Sequence, residues 1–149
     1  VRTEIVGKGA KRVVVLNLPN VAVTPGTLAA EAASPGAKAL TEAVGQAFNG
    51  QLAAGLAGIP EVIVVDLYGR LTTWSANPSA YGFSNATTPA CASTWAPAFL
   101  GSSLTCTTST TVAGDVSRYM FADTVHPTPY THRLVADMVA DALDNAGWD

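Results

Sequence analysis

The sequence contains few charged side chains. Asp, Glu, Lys and Arg make up 13% of its 149 residues, about half of the roughly 25% that is typical of soluble domains. It has no basic run and no stripe of Lys or Arg with interleaved aromatic residues, so nucleic acid is not an expected partner. No apolar run approaches the roughly 18 residues that a membrane-spanning helix needs. The 48% apolar content instead predicts one globular domain over residues 1–149 with a substantial core.

Cysteine is almost absent as well. Cys91 and Cys106 both fall in a long polar segment, at about residues 77–117, that has no clear helix or strand pattern. With no His or further Cys nearby, they make a poor zinc site. They are either free thiols or a disulfide that closes the loop, and we favour the disulfide because such a loop lacks a core of its own. A bridge over a loop of this size stabilises a fold by roughly 3 kcal/mol and indicates an oxidising compartment.

Two apolar runs predict the strands of a parallel sheet. Val13–Leu18 and Val62–Leu67 show no polar alternation, which is typical of strands covered on both faces. From Ala37 onward, apolar residues recur every four positions and predict a helix whose apolar stripe packs against the sheet. The stripe consists of Leu40, Val44, Phe48, Leu52 and Leu56. Strand, helix and strand together predict a right-handed βαβ unit.

The neighbouring segments carry weaker signals. Val1–Ala10 predicts the end of a helix, and the small residues of Asn20–Gly36 predict a loop. Asp66, near the carboxyl end of its strand, either contacts a site or caps a short helix or turn over Tyr68–Ala76, and we favour the cap.

Two buried parallel strands do not form an independent fold. Parallel sheets normally have more strands and helices on both faces, and open apolar edges promote aggregation. We therefore expect the sheet to be completed by a preceding segment, a cleaved companion chain or another subunit. The first residue is Val1 and no signal-peptide pattern follows it, which we interpret as an interior or processed start.

One of the two histidines closely follows an aspartate. Asp123 and His126 are three residues apart, and Thr128 and Pro129 then begin an amphipathic helix. An Asp in this position can accept the Nδ1–H of the imidazole and leave Nε2 free to take a proton from a nucleophile. The alternatives are an ordinary turn with an exposed His, or a metal site that also uses His132, for which the ligand pattern is weak.

A nucleophile to complete this pair is not found. The Gly-x-Ser-x-Gly elbow of α/β-hydrolases is absent from the sequence. Gly101–Leu104 contains two serines but follows no predicted buried strand, so it is not expected to supply the nucleophile.

The Asp–His turn resembles the last conserved block of the SGNH, or GDSL, family of serine esterases and lipases. In that family an Asp-x-x-His-Pro turn supplies the Asp and the His of a Ser-His-Asp triad, and here the matching block is Asp123–Thr128. Arg12–Pro19 is similar to the family's fourth strand, Val65–Tyr68 to its fifth, and Asn77–Cys91 to a loop of secreted bacterial members. The family's Gly-Asp-Ser nucleophile block, and its Gly and Asn blocks for the oxyanion hole, have no match.

The resemblance therefore implies the C-terminal portion of a three-layer α/β/α hydrolase with a parallel sheet, whose N-terminal strands lie outside this chain. It implies hydrolysis of carboxylic esters through an acyl-enzyme, with His126 as general base, Asp123 orienting it, and no cofactor or metal. The serine would come from an N-terminal companion segment, and the chain alone would be inactive.

The resemblance also implies an ester or lipid substrate, with contact to a lipid surface or membrane, and a secreted, periplasmic or cell-surface location. The alternative function is a truncated, non-catalytic half that binds a partner or ligand, which the missing serine favours.

Overall fold

Two short parallel strands and four α-helices make up the described part of the chain. The structure is a computed structural model that describes residues 1–91 and 103–148. Gly101 and Ser102 of the serine-containing segment lie outside these residues. The elements are β1 (Val13–Leu16), α1 (Pro25–Ala33), α2 (Ala37–Leu56), β2 (Val62–Val65), α3 (Leu67–Ala76) and α4 (Pro129–Asn145), with single 3₁₀ turns at Val6–Lys8, Val21–Val23, Pro78–Tyr81 and Ser103–Thr105.

The two strands pair in parallel, as the sequence predicts. Val13 lies opposite Val62 and Leu16 lies opposite Val65. A backbone hydrogen bond of 3.1 Å from Asn17 N–H to the Val65 carbonyl extends the ladder beyond β1. Parallel neighbours need a long crossover connection, which α1 and α2 supply. The chain therefore has the predicted α/β architecture.

The predicted packing of the α2 stripe holds only at the C-terminal end of the helix, where Leu52 is partly buried and Leu56 is buried. Leu40, Val44 and Phe48 are 68%, 60% and 54% exposed. The helix instead makes its close approach through Gly45, which is buried, because a glycine lets the Tyr68 ring come within 3.2 Å of the position a Cβ would take. The described chain thus covers one side of α2, and the stripe reaches that side only in its last turns, because a four-residue spacing drifts around a helix of 3.6 residues per turn.

The sheet is also less covered than predicted. Leu16 in β1 is 37% exposed and Val64 in β2 is 43% exposed, although both were expected to lie between two layers. None of the helices within residues 1–91 and 103–148 combines the length and apolar character needed to cross a bilayer.

The predicted loop Asn20–Gly36 is wrong, because it contains a helix. Thr24 is the N-cap of α1, where its side chain accepts a hydrogen bond from Thr27 N–H, and Pro25 occupies the first turn. The predicted helix end at Val1–Ala10 is reduced to one 3₁₀ turn. Small residues in α1 gave no apolar period, so the cap was its clearest sequence signal.

The other predicted caps are confirmed. Asp66 accepts a hydrogen bond of 3.0 Å from Gly69 N–H at the start of α3. Thr128 accepts one of 3.3 Å from Thr131 N–H at the start of α4. Each cap satisfies a backbone donor that the first helical turn leaves without a partner.

The core lies beneath the segment that carries the Asp–His turn. Phe121 and Met120, at 1% and 0% exposure, are the largest fully buried side chains. The buried cluster comprises Leu71, Trp74, Phe83, Ala86, Met120 and Phe121, surrounded by Val23, Leu67, Tyr81, Tyr130, Leu134 and Val135. The turn that follows Phe121 therefore begins from a fixed point in the core.

Candidate active site

The Asp–His turn is a short closed loop. Phe121 pairs with Pro127 in an antiparallel bridge. Inside that bridge, Ala122 N–H donates to the His126 carbonyl at 2.8 Å. Outside it, Thr128 N–H donates to the Met120 carbonyl at 3.1 Å. Because both ends of the loop bond to each other and to the core, the side chains between them have a defined direction.

Within this loop the carboxylate of Asp123 meets the imidazole of His126. Asp123 Oδ2 lies 2.8 Å from His126 Nδ1, and Oδ1 lies 3.0 Å from it. A carboxylate can only accept, so Nδ1 carries the proton and Nε2 is left with a lone pair. The Asp123 side chain is 2% exposed, whereas the His126 side chain is 62% exposed. The predicted pair thus has a buried acid and an accessible base.

The pKa of Asp123 lies well below its ordinary value. Burial opposes the charged form and acts to raise the pKa, but hydrogen bonds from the N–H groups of His126, Val125 and Ser103 and from the Ser103 side chain outweigh it. The carboxylate is therefore ionised throughout the physiological pH range. A fixed negative charge at this position orients the imidazole by accepting its Nδ1–H.

Sequence reasoning missed one of these donors. Ser103 N–H donates to Asp123 Oδ2 at 2.7 Å across 20 residues of sequence. Val125 and His126, by contrast, belong to the turn itself and donate to Oδ1 at 2.9 and 2.7 Å. No local pattern could have identified Ser103, because its contact depends on how the long loop folds back.

The disulfide that brings this loop back joins Cys91 to Cys106. Ser103 lies near the pair, and its N–H and its hydroxyl both bond to Asp123. It therefore lies beside the carboxylate and leaves the imidazole side of the pair open.

The first turn of α4 supports the pair from behind. The Thr128 hydroxyl donates to the Tyr119 carbonyl at 2.5 Å, and the Thr131 hydroxyl donates to the Met120 carbonyl at 2.6 Å. Thr131 is completely buried. Both carbonyls lie just before the turn, so the N-cap that the sequence predicts also fixes the turn.

The alternative metal site would join Asp123 and His126 to His132. Among the residues that the structure describes, no group of three or more His, Cys, Asp or Glu side chains is placed to hold a metal ion. His132, the proposed third ligand, is exposed on α4.

An apolar cavity of about 230 Å³ lies beside the turn. Val125 and Pro127 of the turn, Leu16 of β1 and Val135 of α4 form part of its wall. It therefore connects the carboxyl end of the sheet, where ligands of α/β proteins usually bind, with the Asp–His pair.

The sequence model of the GDSL-like Lipase/Acylhydrolase family matches residues 2–139. Because that match covers most of the chain, the protein belongs to this family of lipases and acylhydrolases, as the sequence motifs predict. Among curated proteins, a GDSL esterase/lipase of Arabidopsis thaliana is 35% identical over 68 residues. The aligned region is 46% of this chain and 18% of the plant protein, so the similarity spans a small part of that relative.

Proposed function

We propose that this chain carries the acid–base pair of a carboxylic ester hydrolase. The observation that carries the proposal is the contact of 2.8 Å between Oδ2 of the buried Asp123 and Nδ1 of His126, whose side chain is exposed. Membership of the GDSL-like family supports ester hydrolysis as the reaction.

In the proposed mechanism His126 first acts as general base. Nε2 takes the proton of a serine hydroxyl as its oxygen attacks the ester carbonyl carbon, and Asp123 stabilises the imidazolium that results. The imidazolium then gives the proton to the departing alkoxide, which leaves as the alcohol. In the second half His126 takes a proton from water as the water oxygen attacks the acyl-enzyme, and then returns that proton to the serine oxygen as the carboxylic acid leaves.

We place the serine and the oxyanion hole on an N-terminal companion segment. The sequence contains neither Gly-Asp-Ser nor Gly-x-Ser-x-Gly. The two-stranded sheet and the exposed stripe of Leu40, Val44 and Phe48 offer the companion an open edge and an apolar surface. Burying three such side chains would contribute several kcal/mol to association, at about 25 cal/mol per Å² of apolar area.

The proposed substrate is an ester with an apolar acyl group. The cavity of about 230 Å³ beside Val125 and Pro127 supports an apolar group next to His126. The Cys91–Cys106 disulfide supports an oxidising location, outside the cell or in the periplasm, where contact with lipid surfaces would bring the enzyme to its substrate.

The test is hydrolysis of p-nitrophenyl esters by the complete hydrolase, which contains the companion segment. His126→Ala should lower kcat by several orders of magnitude, because triad members act as a unit. Arg133→Ala is the control: it removes an exposed side chain of α4 that does not line the cavity, and should leave kcat unchanged. A His126→Ala enzyme with nearly full activity would remove His126 from the mechanism.

The second candidate is a non-catalytic binding module, which the missing serine favours. Intact mass under denaturing conditions distinguishes the two candidates. A companion fragment that contains Gly-Asp-Ser and accompanies this chain supports the hydrolase. A complete natural protein that consists of this chain alone and hydrolyses no ester supports the binding module.

A further inference from the structure

The two oxygens of the Asp123 carboxylate are held in different ways. Oδ1 accepts the N–H groups of Val125 and His126, which belong to its own turn. Oδ2, the oxygen closer to His126 Nδ1, accepts a backbone N–H from Ser103 at 2.7 Å. Among the backbone donors within the described residues, Ser103 is thus the one that reaches this carboxylate from outside the turn.

Ser103 belongs to a segment that needs an external support. It begins a single 3₁₀ turn, Ser103–Thr105, and one turn has little stability of its own. At its end, Cys106 N–H donates to the Ser103 carbonyl at 3.1 Å, and the Cys106 sulfur is bonded to Cys91. The disulfide therefore limits how far Ser103 can move away from Asp123.

The other end of the disulfide is fixed beside the acid. Cys91 is 5% exposed, and its N–H donates to the carbonyl of Ala122, the residue before Asp123, at 2.8 Å. Ala90 N–H donates to the Phe121 carbonyl at 2.9 Å. The bridge thus runs from the backbone next to Asp123 to the turn that donates to its carboxylate, and closes a ring of bonds around the acid.

We propose that Ser103 is a positioning residue for the Asp123–His126 pair, and that the Cys91–Cys106 disulfide holds its N–H against Asp123 Oδ2. This inference rests on the ester hydrolase proposed above. It makes catalytic efficiency depend on the oxidation state of a bridge that does not itself contact the imidazole.

Reduction of the bridge is a balanced two-electron step. The thiolate of a dithiol reductant attacks one sulfur of the bridge and releases the other as a thiolate, and the second thiol of the reductant then displaces the first cysteine. Two electrons and two protons pass to Cys91 and Cys106, which become thiols, while the dithiol becomes a cyclic disulfide.

Two substitutions at one position separate the backbone donor from the side chain. Ser103→Pro removes the N–H, and the first position of a helical turn accepts proline. Ser103→Ala keeps the N–H and removes the hydroxyl. In the complete hydrolase, Ser103→Pro should lower kcat roughly tenfold or more with KM nearly unchanged, since hydrogen bonds to charged groups are among the stronger ones. Ser103→Ala should cost much less. Equal effects of the two substitutions would overturn the proposal.

A spectroscopic measurement keeps the proposal testable without activity. The His126 Nδ1 proton, bonded to a carboxylate, should give a downfield ¹H NMR signal in the oxidised protein. Breaking the Cys91–Cys106 bridge should broaden or abolish this signal while the far-UV circular dichroism spectrum stays the same. A dithiol reductant breaks the bridge, and Cys106→Ala serves the same purpose if Ser103→Pro does not fold. A signal that persists after verified reduction would contradict the positioning role of the bridge.

These results distinguish the two proposals. A signal that responds to reduction in a protein without esterase activity supports the positioning of the pair and contradicts the ester hydrolase. Undiminished esterase activity after verified reduction contradicts the role of the bridge and leaves the hydrolase standing.

Discussion

The backbone N–H of Gly26 donates to the carbonyl oxygen of Thr124 at 2.8 Å. This bond joins the first turn of α1 to the middle of the Asp–His turn, between Asp123 and His126. Together with Ser103 on Asp123 and Thr128 at the start of α4, it holds the turn from three separate segments. Preorganised geometry of this kind is what an acid–base pair needs, since small displacements of catalytic groups are costly.

Gly26→Ala should disturb the turn. A Cβ at this position would lie 3.0 Å from the Thr124 carbonyl oxygen, which is too close without a shift of one backbone segment. We expect a loss of about 1–3 kcal/mol in the free energy of unfolding, as for other overpacked sites, and a lower kcat in the complete hydrolase.

Gly50→Ala in α2 is the matched control for Gly26→Ala. A Cβ there meets no atom within 4 Å, so the substitution should raise the free energy of unfolding by about 0.5–1 kcal/mol through helix propensity. Urea unfolding measures both variants. Stabilisation by Gly26→Ala would show that the contact with Thr124 is not tight.

Asp123 should make stability depend on pH in the acid range. Its folded-state pKa is lowered, so the stabilisation is fully present above its unfolded-state pKa of about 3.9 and is lost as the pH falls from there through the folded-state value. In this window the unfolded state binds more protons than the folded state, and the free energy of unfolding rises with pH.

Asp123→Asn tests this dependence. The amide cannot ionise, so the variant should be less stable than the wild type at pH 7, and the difference should narrow as the pH is lowered below about 4. Urea midpoints of both proteins between pH 3 and pH 7, compared at about six pH values, provide the measurement. Parallel curves would mean that Asp123 is not an ionised, stabilising carboxylate.

Thr128→Val should weaken the support behind the turn. It preserves the shape of the side chain but removes both the cap on Thr131 N–H and the donor to the Tyr119 carbonyl. We expect a loss of about 1–2 kcal/mol in the free energy of unfolding. Thr73→Val on α3 is the control, because that hydroxyl is exposed and bonds back to its own helix at Gly69, and its effect should stay within about 0.5 kcal/mol. Equal losses would argue against a special role for Thr128.

Phe48→Gln should lower the stability of the complete hydrolase more than that of the isolated chain. Phe48 is 54% exposed in this chain, so the isolated chain should lose little stability. If a companion segment covers the stripe, the complete hydrolase should lose about 2 kcal/mol or more.

Ala53→Gln is the control for Phe48→Gln. Ala53 follows Val44 of the stripe by nine residues, which are two and a half helical turns. It therefore lies on the opposite side of α2 from Val44. It is exposed as well and should leave the complete hydrolase almost unaffected. The measurement is the midpoint temperature of thermal unfolding for both variants, each as the isolated chain and as the complete hydrolase. A small effect of Phe48→Gln in the complete hydrolase would place the companion segment on another surface of this chain.

Several features follow from the sequence alone because their causes are local. Asp123 and His126 are close in sequence and meet in one turn. Thr128 and Pro129 begin a helix because an N-cap and its first turn are adjacent in sequence. The apolar runs of β1 and β2 predict parallel pairing, since only strands with such composition suit a parallel sheet. α1 was missed because its small residues have no apolar period, although Thr24 and Pro25 carry the same cap signal.

Only the tertiary structure decided which distant groups meet at the acid–base turn. Ser103 on Asp123 and Gly26 on Thr124 are contacts between segments far apart in sequence, and no periodicity encodes them. The exposure of Leu40 on α2 is likewise a result of docking: the period of a helix tells which residues share a side, but the partner surface determines which side is buried. The sequence thus determined the chemical groups of the candidate site, and the packing of α1, α4 and the disulfide-closed loop determined their geometry.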